Sequence, residues 1–244
     1  VGSNNINLLM ANGQFGTRLM GGKDHASERY IFTALNTITK YIFREEDKAI
    51  LNYQNDDGYQ VEPEFYIPII PYVLINGGKG IGTGFSYEGL SYNLTDVTNY
   101  IKNKIKNKAS NIELHPYYEG FNGKVIKNYG HPQKYLIKGK YEIINSDTVK
   151  ITELPIGTWT TDYNEFLEYL MSDKAKNGKK KIPIVKKKVD LCTDVMIDFT
   201  IKFYPGVLPN LVSKQLNEHV NMLEKTLNLI TTKNHWFIKK MSTK

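Results

Sequence analysis

The sequence predicts an α+β chain in two parts, divided near residues 86–94. Three observations predict it. Two glycine-dense stretches, around Gly13–Gly22 and Gly77–Gly84, frame the first part. Short β-type runs between residues 123 and 154 are cut by Gly, Pro and Asn-Ser-Asp turns. Apolar residues recur at helical spacing near 31–42, 94–105, 161–171 and 209–225.

The first part opens with a short segment and the loop Gly13-Gln14-Phe15-Gly16, followed by Gly21-Gly22-Lys23-Asp24. Glycines at this density permit backbone shapes that other residues resist. Ile31, Leu35, Ile38 and Ile42, with Phe32 and Tyr41 beside them, then predict a helix, with Asp24 or Ser27 as its cap. Tyr30 is expected at the junction of loop and helix. Asn55-Asp56-Asp57-Gly58 predicts a hairpin turn, with Val61–Tyr66 as the return strand. Pro63, Pro68 and Pro71 exclude a long helix beyond it. A second glycine loop, Gly77-Gly78-Lys79-Gly80-Ile81-Gly82-Thr83-Gly84, closes the part.

In the second part, Leu94, Val97, Ile101 and Ile105 predict an amphipathic helix with Lys102, Lys104, Lys106 and Lys108 on its polar face. Four short strands follow, around 124–126, 135–137, 141–144 and 148–151. A helix is expected at 161–171, a lysine-rich loop at 174–188, an alternating strand at 195–203 and a last helix at 209–225.

Composition narrows the classes of function. The chain has 244 residues, 41% of them hydrophobic and 23% charged, which supports a packed core rather than disorder. No apolar run approaches the ~20 residues that a membrane span needs. The chain opens Val1-Gly2-Ser3 without an initiator Met, which reads as an internal piece of a longer protein. A single cysteine, Cys192, excludes an internal disulfide framework and suits a reducing compartment. The net charge of +7 favours an acidic partner such as nucleic acid.

Arg18, Lys23 and Arg29 stand beside Gly16, Gly21 and Gly22. Guanidinium forks and accessible N–H groups suit a phosphate. Tyr30 adds a hydroxyl nucleophile, and the adjacent Arg29 would favour charge developing on an attacked phosphate. Residue types alone leave a second reading open, in which Tyr30 is half-buried and Arg29 solvated. Ile81, between two glycines, reads either as a wedge between base pairs or as a turn residue packed on a core. The lysines of 174–188 read either as phosphate contacts or as a solvated loop. The five histidines lack metal-ligand spacing, and no Asp-x-Asp stands in an apolar context, so no metal site is assigned.

Longer blocks of residues carry a resemblance. They are Asn12-Gly13-Gln14-Phe15-Gly16-Thr17-Arg18-Leu19, Gly21-Gly22-Lys23-Asp24 and Ala26-Ser27-Glu28-Arg29-Tyr30-Ile31-Phe32-Thr33. Val61-Glu62-Pro63-Glu64-Phe65-Tyr66-Ile67-Pro68, Leu74-Ile75-Asn76-Gly77 and Gly80-Ile81-Gly82-Thr83-Gly84 follow in order. This succession resembles the active-site stretch of eukaryotic-type DNA topoisomerase II. Ile151-Thr152-Glu153-Leu154-Pro155-Ile156-Gly157-Thr158-Trp159-Thr160 extends it more loosely.

The resemblance implies a partial winged-helix domain over 1–90 and a mixed α/β tower domain over 91–244. It implies that Tyr30 is the catalytic tyrosine, forming a 5′-phosphotyrosyl bond with DNA. Arg29 is the implied partner at the scissile phosphate, and Ile81 the intercalating side chain. Arg18, Lys23 and Lys79 are the implied contacts to the DNA backbone. Double-stranded DNA, a homodimer, Mg2+ and ATP follow for the full enzyme, with the metal and the nucleotide bound by domains outside this chain. The piece alone is then expected to bind DNA without cleaving it. The location implied is the nucleus, or the cytoplasm for a viral protein. Glu28 stands where relatives usually carry proline, and an anion there could pair with Arg29. The alternative is a DNA-binding or DNA-bending module that keeps the fold without the chemistry.

Overall fold

The structure, a computed structural model, describes all residues except 1, 3, 83–84, 108–112, 129, 132–133, 175–178 and 235–244; the side chains of 81–82, 85–86 and 234 are also outside the description. Lys108, Lys176, Thr83, Gly84 and His235 therefore lie outside it. The chain folds as two compact units that do not follow chain order. Among the described residues the first comprises 4–13 and 28–118, the second Gly2, 14–27 and 119–234.

The first unit is a series of small elements. β1 (Leu9–Asn12) and β2 (Phe32–Leu35) pair antiparallel, from Leu9 opposite Leu35 to Asn12 opposite Phe32. The helix expected over 31–42 is thus replaced by a strand and a single turn, α1 (Thr39–Ile42). Phe32 and Thr33 suit a strand. Asn36 then ends it: its N–H donates to the Leu8 carbonyl and its side chain accepts from Ile38 N–H. Long-range pairing with β1 has overridden the local 3.6-residue spacing.

β3 (Tyr53–Asp56) and β4 (Tyr59–Pro63) form the expected hairpin. Its two turn residues are Asp57 and Gly58, at φ 47° and 86°, the positive values that a two-residue turn demands. α2 (Tyr72–Asn76) follows, then β5 (Gly78–Gly82) paired with β6 (Phe85–Gly89). The second glycine stretch is therefore mostly strand, not loop. α3 (Leu94–Ile105) matches the predicted amphipathic helix and starts on Asn93, whose side chain accepts from Thr95 and Asp96 N–H.

Among the described residues the second unit holds a four-stranded sheet, a three-stranded sheet and a short two-stranded hairpin. β7 (Lys124–Lys127), β8 (Lys134–Lys138), β9 (Lys140–Ile143) and β10 (Thr148–Glu153) fall where alternation predicts them. They are followed by α4 (Thr160–Met171), β11 (Val185–Asp190) and β12 (Phe199–Phe203). One antiparallel sheet runs β11-β12-β10-β9. Val149, Ile151, Phe199, Ile201 and Phe203 on its inner face pack with Tyr163 and Leu167 of α4.

The lysine-rich loop is shorter than expected, because Lys186, Lys187 and Lys188 lie in β11. The strand expected from 195 begins at 199, since Thr193–Met196 form a turn closed by Thr193 N–H to the Met196 carbonyl. The helix expected over 209–225 is split into α5 (Val207–Ser213), a hairpin of β13 (Gln215–Asn217) and β14 (Val220–Asn221), and α6 (Met222–Thr226). A reciprocal capping box between Asn221 and Glu224 starts α6 afresh. β15 (Ile230–Asn234) completes a second sheet in the order β15-β8-β7. The α+β reading holds. Among the described residues no helix is long and apolar enough to cross a membrane.

Candidate active site

Tyr30 ends a single 3-10 turn, Glu28–Tyr30, that feeds directly into β2. It does not start a helix. The turn exposes the side chain: Tyr30 is 64% accessible, against the half-buried alternative. The Arg29 guanidinium stands over its ring, 5.0 Å from the centroid, within cation–π range. Among the described residues no ion pair joins Glu28 to Arg29, so the guanidinium is not neutralised by its neighbour in sequence. Nor, among them, does a hydrogen bond tie up the Tyr30 hydroxyl.

Gly13 explains how the backbone fits here. It sits at φ 112°, and a Cβ at that position would lie 3.0 Å from Ile31 Cγ2 and 3.3 Å from the Tyr30 carbonyl oxygen. Without a side chain and at positive φ, Gly13 lets the end of β1 lie against the backbone of Tyr30 and Ile31.

A polar frame holds the rest of the unit. The Asn5 side-chain amide donates to the carbonyls of Ile75 (2.9 Å) and Tyr117 (3.1 Å) and, more weakly, of Tyr92 (3.4 Å). The Asn76 side chain accepts from Ile6 N–H at 2.9 Å and donates back to the Ile6 carbonyl at 2.8 Å. Tyr72 Oη donates to the same carbonyl. Asn5 went unnoticed in the sequence, and Asn76 appeared there only as part of a motif. The signal for Asn76 was an asparagine ending the apolar run Val73-Leu74-Ile75, which in a fold must find backbone partners; Asn5, between Asn4 and Ile6 with Asn7 beyond, carried none. Lys79 is exposed on β5. Ile81 has its backbone paired with Ser86, while its side chain lies outside the described residues.

In the second unit, segment 14–27 carries Arg18 and Lys23. Lys23 is exposed. Arg18 is not the free phosphate fork that residue type suggested. Its guanidinium meets the Glu153 carboxylate at 2.5 Å, with the two side chains 11% and 1% exposed. Asp24 binds Thr17 through both the hydroxyl and the N–H, and the Thr17 hydroxyl holds its carboxyl below the usual carboxylate range. In the lysine-rich stretch, Lys188 Nζ is committed to Asn164 and Glu168, and Lys181 lies over the Tyr169 ring. Lys186 and Lys187 are exposed. Among the described residues no three His, Cys, Asp or Glu side chains converge on a possible cation position.

Tyr30 thus stands exposed just before a strand start, with the Arg29 guanidinium over its ring. The family model for the A subunit of DNA gyrase/topoisomerase IV matches residues 1–243, and the chain belongs to that family. Enzymes of eukaryotic type are among its near relatives. It is 44% identical over 227 residues to DNA topoisomerase 2 of Plasmodium falciparum, covering 93% of this chain and 16% of the relative. It is 42% identical over 216 residues to DNA topoisomerase 2 of Pisum sativum, covering 88% of this chain and 14% of the relative. A viral relative, DNA topoisomerase 2 of Acanthamoeba polyphaga mimivirus, is 36% identical over 291 residues, covering 98% of this chain and 23% of the relative.

The crystal structure of the P. falciparum topoisomerase II DNA-binding, cleavage and re-ligation domain superposes with a TM-score of 0.83 at 41% identity, covering 96% of this chain and 30% of that one. The chain thus spans between about one seventh and one sixth of the length of the P. sativum and P. falciparum relatives.

Proposed function

We propose that this chain is the strand-cleaving part of an ATP-dependent type II DNA topoisomerase, with Tyr30 as its nucleophile. The observation that carries the reading is Tyr30 itself, exposed on a short turn with the Arg29 guanidinium beside it. In the step proposed, Tyr30 Oη attacks a backbone phosphorus and the bond to the 3′ oxygen breaks. A 5′-phosphotyrosyl link forms and a free 3′-hydroxyl leaves. The tyrosine proton passes to solvent or to a base from another domain. Arg29 offsets the charge that builds on the phosphate oxygens. Reversal needs no added energy, because one phosphodiester has been exchanged for another.

Two tyrosines are needed to cut two strands, so the working form is a homodimer on double-stranded DNA. ATP drives passage of the second duplex. Mg2+ would offset phosphate charge, yet the described residues gather no acidic cluster to hold it. Both cofactors are assigned to other domains of the full-length protein, and the present piece binds DNA without cleaving it. Residues 1–90 are proposed as part of a winged-helix domain and 91–244 as a tower domain, with Lys23, Lys79 and Ile81 as DNA contacts. The nucleus is the proposed location, or the cytoplasm for a viral enzyme.

Tyr30→Phe in the full-length protein tests the reading. The wild type should yield covalent protein–DNA adducts with Mg2+ after denaturant quenching, and the variant none. A wild type that forms no adduct while still binding duplex would make the chain a DNA-bending module instead.

A further inference from the structure

Helix α4 begins without a cap of its own. Its N-cap residue is Trp159, whose indole cannot accept from the free N–H groups of the first turn, and no side-chain cap bond is made. The acceptors come from the glycine segment. Thr160 N–H donates to the Arg18 carbonyl at 3.3 Å and Thr161 N–H to the Leu19 carbonyl at 2.9 Å. Gly21 packs flat on the Trp159 ring, where a Cβ would sit 2.4 Å from Cε2.

The Arg18 side chain adds a second tie. Glu153 continues the inward-facing alternation of β10 after Val149 and Ile151, and it is 1% exposed. Its carboxylate accepts from Asn122 N–H at 3.2 Å, from its own neighbour Leu154 N–H at 3.0 Å, and from Arg18. A buried carboxylate is tolerated only when paired and hydrogen-bonded in this way. Within the segment, Gly22 N–H donates to the Thr17 carbonyl at 2.9 Å and Ala26 N–H to the Gln14 carbonyl at 2.9 Å. The loop is therefore closed at its base and pinned at its tip. The backbone then runs on through Ser27 and Glu28 to Arg29 and Tyr30.

We infer that Arg18 and Glu153 are positioning residues for the cleavage reaction: they clamp the glycine segment onto β10 and α4 and so fix the chain that delivers Arg29 and Tyr30, without Arg18 touching phosphate. The inference rests on the reading of Tyr30 as nucleophile. It replaces the expectation of Arg18 as a backbone contact with a role in geometry.

The test uses the full-length protein with duplex DNA and Mg2+, comparing wild type, Arg18→Lys, Glu153→Gln and Lys23→Ala. The rate of adduct formation at saturating DNA should fall by about tenfold or more in Glu153→Gln, at a temperature where its circular dichroism matches wild type. Arg18→Lys, which keeps the charge but not the fork, should fall less. Duplex affinity, and its slope against salt, should be unchanged in both. Lys23→Ala should instead flatten the slope by about one phosphate contact.

An Arg18→Lys that weakens duplex binding while Glu153→Gln matches wild type would make Arg18 a phosphate contact and overturn the inference. Folded Glu153→Gln protein with wild-type cleavage would reduce the pair to stability alone and overturn it equally. A wild type without adducts would sink the nucleophile reading itself. A wild type with adducts, and variants indistinguishable from it, would sink only the clamp.

Discussion

The two units keep their shape by different means. The second unit rests on a dense apolar core in which Val149, Ile151, Leu167, Phe199, Ile201, Phe203 and Leu223 are all fully buried. The first unit buries far less. Among its described residues Ile42, Pro63, Ile75, Leu90, Tyr92, Val97 and Tyr118 are buried, while Phe32, Leu35, Tyr41, Ile50, Tyr59 and Phe65 are each more than 60% exposed. Its order comes instead from hairpins, from glycines at positive φ and from the Asn5 and Asn76 bonds. The proposed nucleophile sits on the lightly packed unit.

The sharpest way to break this comparison is to truncate one large apolar residue in each unit of this chain. Leu167→Ala removes a fully buried side chain from the second core and should lower stability by about 2–5 kcal/mol. Phe32→Ala removes a ring that is 69% exposed and should change stability by less than about 0.5 kcal/mol. Urea unfolding followed by tryptophan fluorescence and far-UV circular dichroism measures both. Similar losses from the two variants would mean that the first unit has a core as critical as the second.

The same contrast explains what was legible in the sequence. In the second unit the apolar alternation of Tyr135–Ile137 and Thr148–Ile151 and the periodicity of 161–171 gave strands and a helix close to those observed, because burial imposes a period. It failed at 209–225, where the polar run Asn217-Glu218-His219 breaks the helix into a hairpin and a newly capped turn. In the first unit little is buried, so period says less. Ile31 to Ile42 showed helical spacing, yet Phe32–Leu35 pair with β1, a partner twenty or more residues away.

The site divided in the same manner. Tyr30 and Arg29 stand out in the sequence because a string of motif residues surrounds them. Glu153 was not singled out, although a carboxylate on the inward side of the Val149-Ile151 alternation was the signal that something cationic had to meet it.

The polar frame of the first unit gives a second, smaller test. Asn5→Ala would leave the carbonyls of Ile75, Tyr92 and Tyr117 without this donor. The expected cost is about 1–3 kcal/mol, the range for partly buried groups that lose a partner. The loss should be local. Amide exchange should speed up in α2 and around Tyr92 and leave α4 unchanged. Uniformly faster exchange would show that the two units unfold together and that polar bonding is not a separate support.

The smallest effect concerns the glycine segment, which belongs to the well-packed unit but is held internally by polar bonds. Asp24 accepts from the Thr17 hydroxyl and from Thr17 N–H, and these bonds, the hydroxyl first, favour its ionised form. A carboxyl with a folded-state pKa below its unfolded value stabilises the fold above the ordinary carboxylate range, and that contribution fades as pH falls through the folded-state value. The Thr17 amide should therefore report a titration with a midpoint below that of a free aspartate, near 3.9 in model peptides, when its NMR shift is followed on acidification. Asp24→Asn keeps an acceptor but has no charge to lose, so that step should vanish while the other carboxylates titrate as before. Because Asp24 faces solvent, global stability should hardly move in either protein. A midpoint at the free-aspartate value would mean that Thr17 does not hold the carboxylate, and that the loop depends on the Arg18 and Gly21 contacts alone.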